Sequence, residues 1–150
     1  MIQLIRTDSQ NQDFVELVKK LDEYLSISDG EDHLFYDQFN KIDTINHVVV
    51  AYFNEKPVGC GAIKEYDDAT MEVKRMFTSN ESRGKGVASL ILFELEKWAV
   101  ELLYNRCLLE TGIRQVEAIG LYKKNKYAVV DNYGQYVGIK DSVCFEKKLL

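Results

Sequence analysis

Proline is almost missing from this chain: Pro57 stands alone among 150 residues. With no low-complexity stretch either, there is no candidate linker, and residues 1–150 read as one domain. Cysteine is scarce and odd in number. Cys60, Cys107 and Cys144 are far apart and form no CxxC pair, which excludes a zinc site or a disulfide framework of the usual spacing. They read as buried free thiols, suited to a reducing cytoplasm, where the chain is expected to reside. No apolar run approaches the roughly 20 residues of a membrane span. The apolar N-terminal stretch, residues 2–5, is too short for a secretory signal and follows no basic segment. Positive charge is in deficit, with 19 Lys and Arg against 24 Asp and Glu, a net charge of −5. No basic stripe exists, so neither nucleic acid nor a membrane is an expected partner. An acidic chain that binds an anion must concentrate its positive charge locally. What is present is ample apolar material, 46% of residues, enough for an ordinary core without a staple.

The periodicity predicts mixed α and β structure. Residues 2–6 alternate and read as an edge strand. Phe14, Leu17, Val18, Leu21 and Leu25 recur at helical spacing over residues 11–25, with Asp8 or Ser9 as the cap and Ser28-Asp29-Gly30 as the break. Residues 33–40 form a candidate second short helix. Residues 45–53, 58–66 and 70–78 read as three strands of an antiparallel meander, with Gly59 and Gly61 marking close approach of another backbone. In the third strand Lys74 and Arg75 follow each other before Met76, which breaks the period of two and predicts a β-bulge. A long helix follows over about 84–103. Val87, Ile91, Leu95, Trp98 and Leu102 form its apolar stripe, Leu90 lies beside it, and Glu94, Glu96 and Glu101 keep other faces polar. A strand at 107–111, a helix at 114–124 and strands at 127–133 and 142–149 close the chain. Antiparallel strands first and one βαβ crossover in the middle give an α+β, or mixed α/β, class.

The most informative segment is Arg83-Gly84-Lys85-Gly86-Val87-Ala88. It follows a strand and opens the long helix. Its glycines let the backbone curl and approach a ligand. The first-turn N–H groups of a helix have no internal partner and sit at the positive end of the dipole, where phosphate binds. Arg83 and Lys85 supply the local positive charge. A Walker motif cannot be written here, and a Rossmann fingerprint fails at Ser89, where its third glycine belongs.

These residues resemble the Q/R-x-x-G-x-G/A signature of GNAT acetyltransferases, as Arg83-x-x-Gly86-x-Ala88. The run from Glu72 to Thr78 is similar to that family's fourth strand. Leu108-Leu109-Glu110-Thr111-Gly112, with the segment from Glu117 to Tyr122, is similar to its fifth strand and next helix. The resemblance spans about residues 45–149. It implies a GNAT-like acyl-CoA N-acyltransferase fold: a mixed, mostly antiparallel sheet of about seven strands flanked by helices. It implies acetyl-CoA as co-substrate and no metal. Its pyrophosphate would rest on the N–H groups of Gly84, Lys85, Gly86, Val87 and Ala88. Its pantetheine would pair with the backbone of Met76, Phe77 and Thr78 like an added strand. The strands starting near Thr70 and Cys107 would splay to admit the thioester. Dimers are common in the family, and a homodimer is carried over on that ground alone.

The acceptor expected is a primary amine. An alkylammonium has pKa ~10.4 and is not a nucleophile, so a base must deprotonate it and an acid must protonate the leaving thiolate. By resemblance, Glu72 is the candidate base, directly or through water; its other reading is a half-exposed carboxylate paired with Lys74. Tyr122 is the candidate acid; its other reading is a ring packed on a helix face. A backbone N–H near Met76 or Phe77 would hold the oxyanion. Cys107 as a ping-pong nucleophile lacks a neighbouring base and reads instead as core. Two positions depart from the family pattern. Asn125-Lys126-Tyr127 stands where glycine and phenylalanine usually fill the last two places, so Asn125 is expected to take the left-handed helix stop. Gln115 stands where an asparagine often contacts pantetheine.

For the acceptor side, Asp22, Glu23, Asp29, Glu31, Asp32 and Asp37 cluster with His33, Phe35, Tyr36 and Phe39. They read either as a solvated face or as a site for a cationic amine. Tyr133, Gly134 and Tyr136 read either as turn residues or as a cover over the acceptor. Set against the enzyme reading is a non-catalytic acyl-CoA-binding or sensing module.

Overall fold

Val48, Val49, Val50 and Ala51 run apolar without alternation, and they are buried on both faces. The computed structural model describes residues 1–29 and 44–149. Strands β1 (Ile2–Thr7), β2 (His47–Phe53), β3 (Lys56–Asp67), β4 (Thr70–Thr78), β5 (Arg106–Gly112), β6 (Ala128–Val130) and β7 (Ser142–Lys148) form one sheet. Their spatial order is β1-β2-β3-β4-β5-β7-β6. Helices α1 (Gln12–Asp29), α2 (Val87–Glu101) and α3 (Val116–Lys124) complete the described elements. Val48 and Val50 of β2 meet Phe14, Leu17 and Val18 of α1. Val49 and Ala51 point the other way, into the cluster of Val87, Ile91, Leu92, Leu95 and Ala99 from α2. Each such fully buried side chain stabilises the fold by roughly 1.5–3 kcal/mol. Every strand pair is antiparallel except β4 with β5, which α2 connects.

The expected bulge is present and changes parity. Cys60 pairs with Phe77 and Ala62 with Lys74, so Gly61 faces two residues, Arg75 and Met76. Arg75 takes φ 62, a left-handed conformation that costs a non-glycine residue about 1–2 kcal/mol. Met71 and Val73 before the bulge, and Met76 after it, all pack on the α2 side. Phe77 turns to the α1 side. A regular strand would have placed Phe77 with Val73.

Several expectations change in detail. The cap of α1 is Asn11, whose Oδ1 accepts from Phe14 N at 3.0 Å. Asp8 instead accepts from Gln10 N, and Ser9 Oγ accepts from Ile45 N, tying β1 to the start of β2. At Gly59 and Gly61 it is chiefly α2 side chains that approach: a Cβ on Gly61 would lie 2.5 Å from Met76 Sδ and 2.9 Å from Ile91 and Leu95 methyl groups. Leu90 is largely exposed. Glu96 does not keep a face polar. It is buried, accepting from Tyr127 Oη at 2.9 Å and from Lys147 Nζ at 2.8 Å. Asn125 is not left-handed; its φ is −92. Lys126, at φ 75, takes that place, and Tyr127 N bonds to Tyr122 O while Lys126 N bonds to Lys123 O. That double bond pattern closes α3 without a glycine. The strand expected at 127–133 shortens to Ala128–Val130, because Asn132 Nδ2 donates to the Tyr136 and Ile139 carbonyls and folds the chain into a loop. The helix expected at 33–40 lies outside the described residues.

Candidate active site

The site begins where the sheet comes apart. β4 and β5 share only three pairs, Thr70–Arg106, Met71–Cys107 and Glu72–Leu108. Both strands run on, to Thr78 and Gly112, without pairing to each other. The bulge at Arg75 bends β4 away at that point. The side of β4 that faces β5 is therefore an open backbone edge among the described residues. A cavity of about 450 Å³ fills the gap, with Met76, Phe77, Thr78, Gly84, Gly86, Val87, Ala88 and Tyr122 in its wall.

Gly84 and Gly86 adopt φ 77 and 82, and open space surrounds the position a Cβ would take on either. Backbone conformation, rather than crowding, is what requires glycine here. Gly86 caps α2 with no side-chain hydrogen bond. Leu90 N is the first to donate into the helix, to Gly86 O at 3.1 Å. The N–H groups of Val87, Ala88 and Ser89 thus lie at the open, positive end of the dipole. This cradle suits a diphosphate.

The two cations of the motif behave differently. Arg83 lines the cavity, but its Nε donates to Thr78 O at 3.0 Å and its guanidinium lies 4.9 Å from the Tyr24 ring centroid. It braces the end of β4 against α1. Lys85 is exposed and outside the cavity wall. Lys124, which the sequence reading did not single out, is in the wall instead. Asn125 Nδ2 donates to Ser89 Oγ at 3.1 Å, so the end of α3 is fastened beside the start of α2. Its signal was the pair Lys123 and Lys124 in a last helical turn. Gln115 is buried in the cavity wall at the head of α3.

Glu72 and Tyr122 are brought to the same cavity from β4 and α3. Glu72 accepts a hydrogen bond from Tyr133 Oη at 2.6 Å, and its other oxygen lies 3.9 Å from Lys74 Nζ. Burial pulls Lys74 below the ordinary lysine range, against the opposing effect of the Glu72 charge. Both readings of Glu72 thus meet in one place: it faces the cavity and it has a cationic neighbour. Tyr122 is 6% exposed and packs against Tyr127 and Phe145. Burial, then the charge of Glu110, raises its pKa, so the phenol stays protonated at neutral pH. The same shift resists loss of the proton, which leaves the O–H able to donate a hydrogen bond rather than to act as a base.

Further side chains complete the wall beside Glu72; Tyr136, read from sequence as a turn residue or a cover over the acceptor, is among them, whereas Glu110 was not singled out as a site residue. Glu110 of β5 lines the cavity and accepts from Ser142 Oγ at 2.7 Å. Tyr136 is buried in the wall, and Leu21, Tyr24 and Leu25 of α1 border it. Of the expected acidic cluster, Asp22 and Glu23 fall on α1 and do not line the cavity; Glu31, His33, Phe35, Tyr36, Asp37, Phe39 and Asp32 lie outside the described residues. Cys107 is fully buried, and burial pushes its thiol up to about 12. A thiol so protected from ionising is a poor nucleophile.

The family model described as the acetyltransferase (GNAT) family matches residues 12–127. The IAA acetyltransferase of Azospirillum brasilense is 32% identical over 148 residues, covering 97% of either chain. Among solved structures, a protein from Klebsiella pneumoniae assigned as an acyl-CoA N-acyltransferase superimposes with a TM-score of 0.84, at 24% identity, over 100% of this chain and 99% of its own. A GNAT family acetyltransferase from Elizabethkingia anophelis, solved with acetyl-CoA bound, gives 0.68 at 14% identity over 98% and 97%. This chain belongs to the GNAT acetyltransferase family. It is an N-acetyltransferase, and its seven-stranded sheet is the acyl-CoA N-acyltransferase fold. No helix among the described residues is long and apolar enough to cross a membrane.

Proposed function

We propose that the chain transfers the acetyl group of acetyl-CoA to a primary amine by direct attack within a ternary complex. The observation that carries this is one continuous cavity joining the uncapped start of α2, the open edge of β4, and the side chains of Glu72 and Tyr122. The acetyl-CoA seen in the Elizabethkingia neighbour supports the same ligand here. The N–H groups from Gly84 to Ala88 hold the diphosphate, and Lys124 adds positive charge. The backbone of Met76, Phe77 and Thr78 pairs with the pantetheine arm. Glu72 takes the proton from the incoming ammonium. A backbone N–H at the bulge steadies the oxyanion, and Tyr122 donates toward the departing sulfur. Direct attack is favoured over a ping-pong route because Cys107, the nucleophile weighed for it, and Cys144, the thiol beside Glu72, are both buried, and burial raises the pKa of both.

The test is thiol release from acetyl-CoA against a panel of small amines, amino acids, polyamines and lysine peptides. Turnover with at least one amine, and initial rates that intersect when both substrates are varied, is the expected result. Parallel lines, with acetylated enzyme isolated before amine is added, would overturn the ternary-complex reading.

A further inference from the structure

We infer that Tyr133, 61 residues from Glu72 in sequence, is a positioning residue that fixes the Glu72 carboxylate for proton removal. The inference rests on the reading of Glu72 as the base.

The geometry is specific. Tyr133 Oη donates to Glu72 Oε2 at 2.6 Å, which leaves Oε1 facing Lys74 at 3.9 Å. A carboxylate on a short side chain can rotate; one oxygen held by a phenol cannot swing into a close ion pair with the lysine. Tyr133 is itself held. Its ring meets Tyr66 edge-on at 5.3 Å and Tyr136 at 5.6 Å. Gly134 follows at φ 52, and a Cβ there would sit 3.7 Å from the Tyr66 ring. The Asn132 amide closes the loop by donating to two carbonyls beyond it. Burial, then the Glu72 charge, drives the Tyr133 pKa far upward, so the phenol is always a donor to this carboxylate.

The charged and titratable groups around Glu72 come from each neighbouring strand. They are Lys74 on β4, Lys64 directly opposite on β3, Glu110 on β5, Cys144 on β7, and Tyr133 and Tyr136 on the loop before β7. Among the described residues, Tyr133 supplies a hydrogen bond of ordinary charge-assisted length to Glu72. A phenol held on Oε2 fixes the orientation of the ionised carboxylate.

The experiment is Tyr133→Phe alone and combined with Glu72→Gln, with pH profiles of kcat/KM for the amine. Phenylalanine keeps the contacts with Tyr66 and Tyr136. The single variant is expected to lose about tenfold in kcat/KM for the amine, with KM for acetyl-CoA unchanged. In the Glu72→Gln background the same substitution should change the rate less than about twofold. If Glu72→Gln abolishes the acidic limb but Tyr133→Phe costs as much in the Glu72→Gln background as it does alone, Tyr133 is merely part of the packing and the inference falls alone. If Glu72→Gln retains the limb, the base assignment falls and takes the inference with it.

Discussion

The two ends of the cavity are built from different materials. The end proposed for the coenzyme is mainly backbone: an uncapped helix start, two left-handed glycines and an unpaired strand edge. The end proposed for the acceptor is mainly side chain: Glu72, Lys74, Glu110, Tyr133 and Tyr136, drawn from β4, β5 and the loop before β7. A backbone cradle tolerates change in the surrounding side chains, provided the chain can still take its path. A side-chain constellation is lost one functional group at a time. Substitutions at the two ends should therefore differ in kind as well as in size.

The largest effect is expected at the acceptor end. Glu72→Gln should lower kcat/KM for the amine about 10²- to 10⁴-fold and leave KM for acetyl-CoA within about twofold; steady-state kinetics over a pH series measure both. A variant of wild-type activity would dissolve the distinction between the ends. Next is Tyr122→Phe, which keeps the packing against Phe145 and deletes the donor. It should lower kcat roughly 10- to 100-fold where chemistry limits the rate. The coenzyme end responds through the backbone. Gly86→Ala meets no neighbour, yet at φ 82 it carries about 1–2 kcal/mol of strain. It should raise KM for acetyl-CoA about 5- to 30-fold and spare kcat, and a fall confined to kcat would contradict the cradle. Smaller again is the contrast of two lysines. Lys124→Ala should raise KM for acetyl-CoA about 2- to 5-fold at low salt and less at high salt. Lys85→Ala should have about half that effect or none, because Lys85 stands outside the wall. Cys107→Ala closes the series with less than about twofold change in kcat, since its enclosed thiol takes no part. A loss of two orders of magnitude there would reinstate a covalent route.

The same contrast explains what could be read from sequence. The coenzyme end was legible because its parts are local. Two glycines, a helix start and a break in strand alternation at Lys74-Arg75 all lie within residues 72–88. The meander of β2, β3 and β4 and the crossover to β5 were legible for the same reason, whereas the insertion of β7 between β5 and β6 was not. On the other side of the cavity, Glu72 and Tyr122 were singled out through family resemblance, and Tyr133 and Tyr136 only as turn residues or a cover. Tyr133 meets Glu72 across 61 residues of chain, and no periodicity encodes that contact. Glu96 shows the same limit. A glutamate on a helix reads as solvent-facing until a lysine 51 residues later, Lys147, and a tyrosine, Tyr127, fold over it. The left-handed stop moved from Asn125 to Lys126 because backbone bonding to Tyr122 and Lys123 sets the position, overriding the residue preference.

The short junction between β4 and β5 has a mechanical meaning. Only three ladder pairs join β4 to β5, so the cavity exists because the ladder stops at Glu72 and Leu108. Extending that ladder would close the gap between the two strands, and the cavity with it.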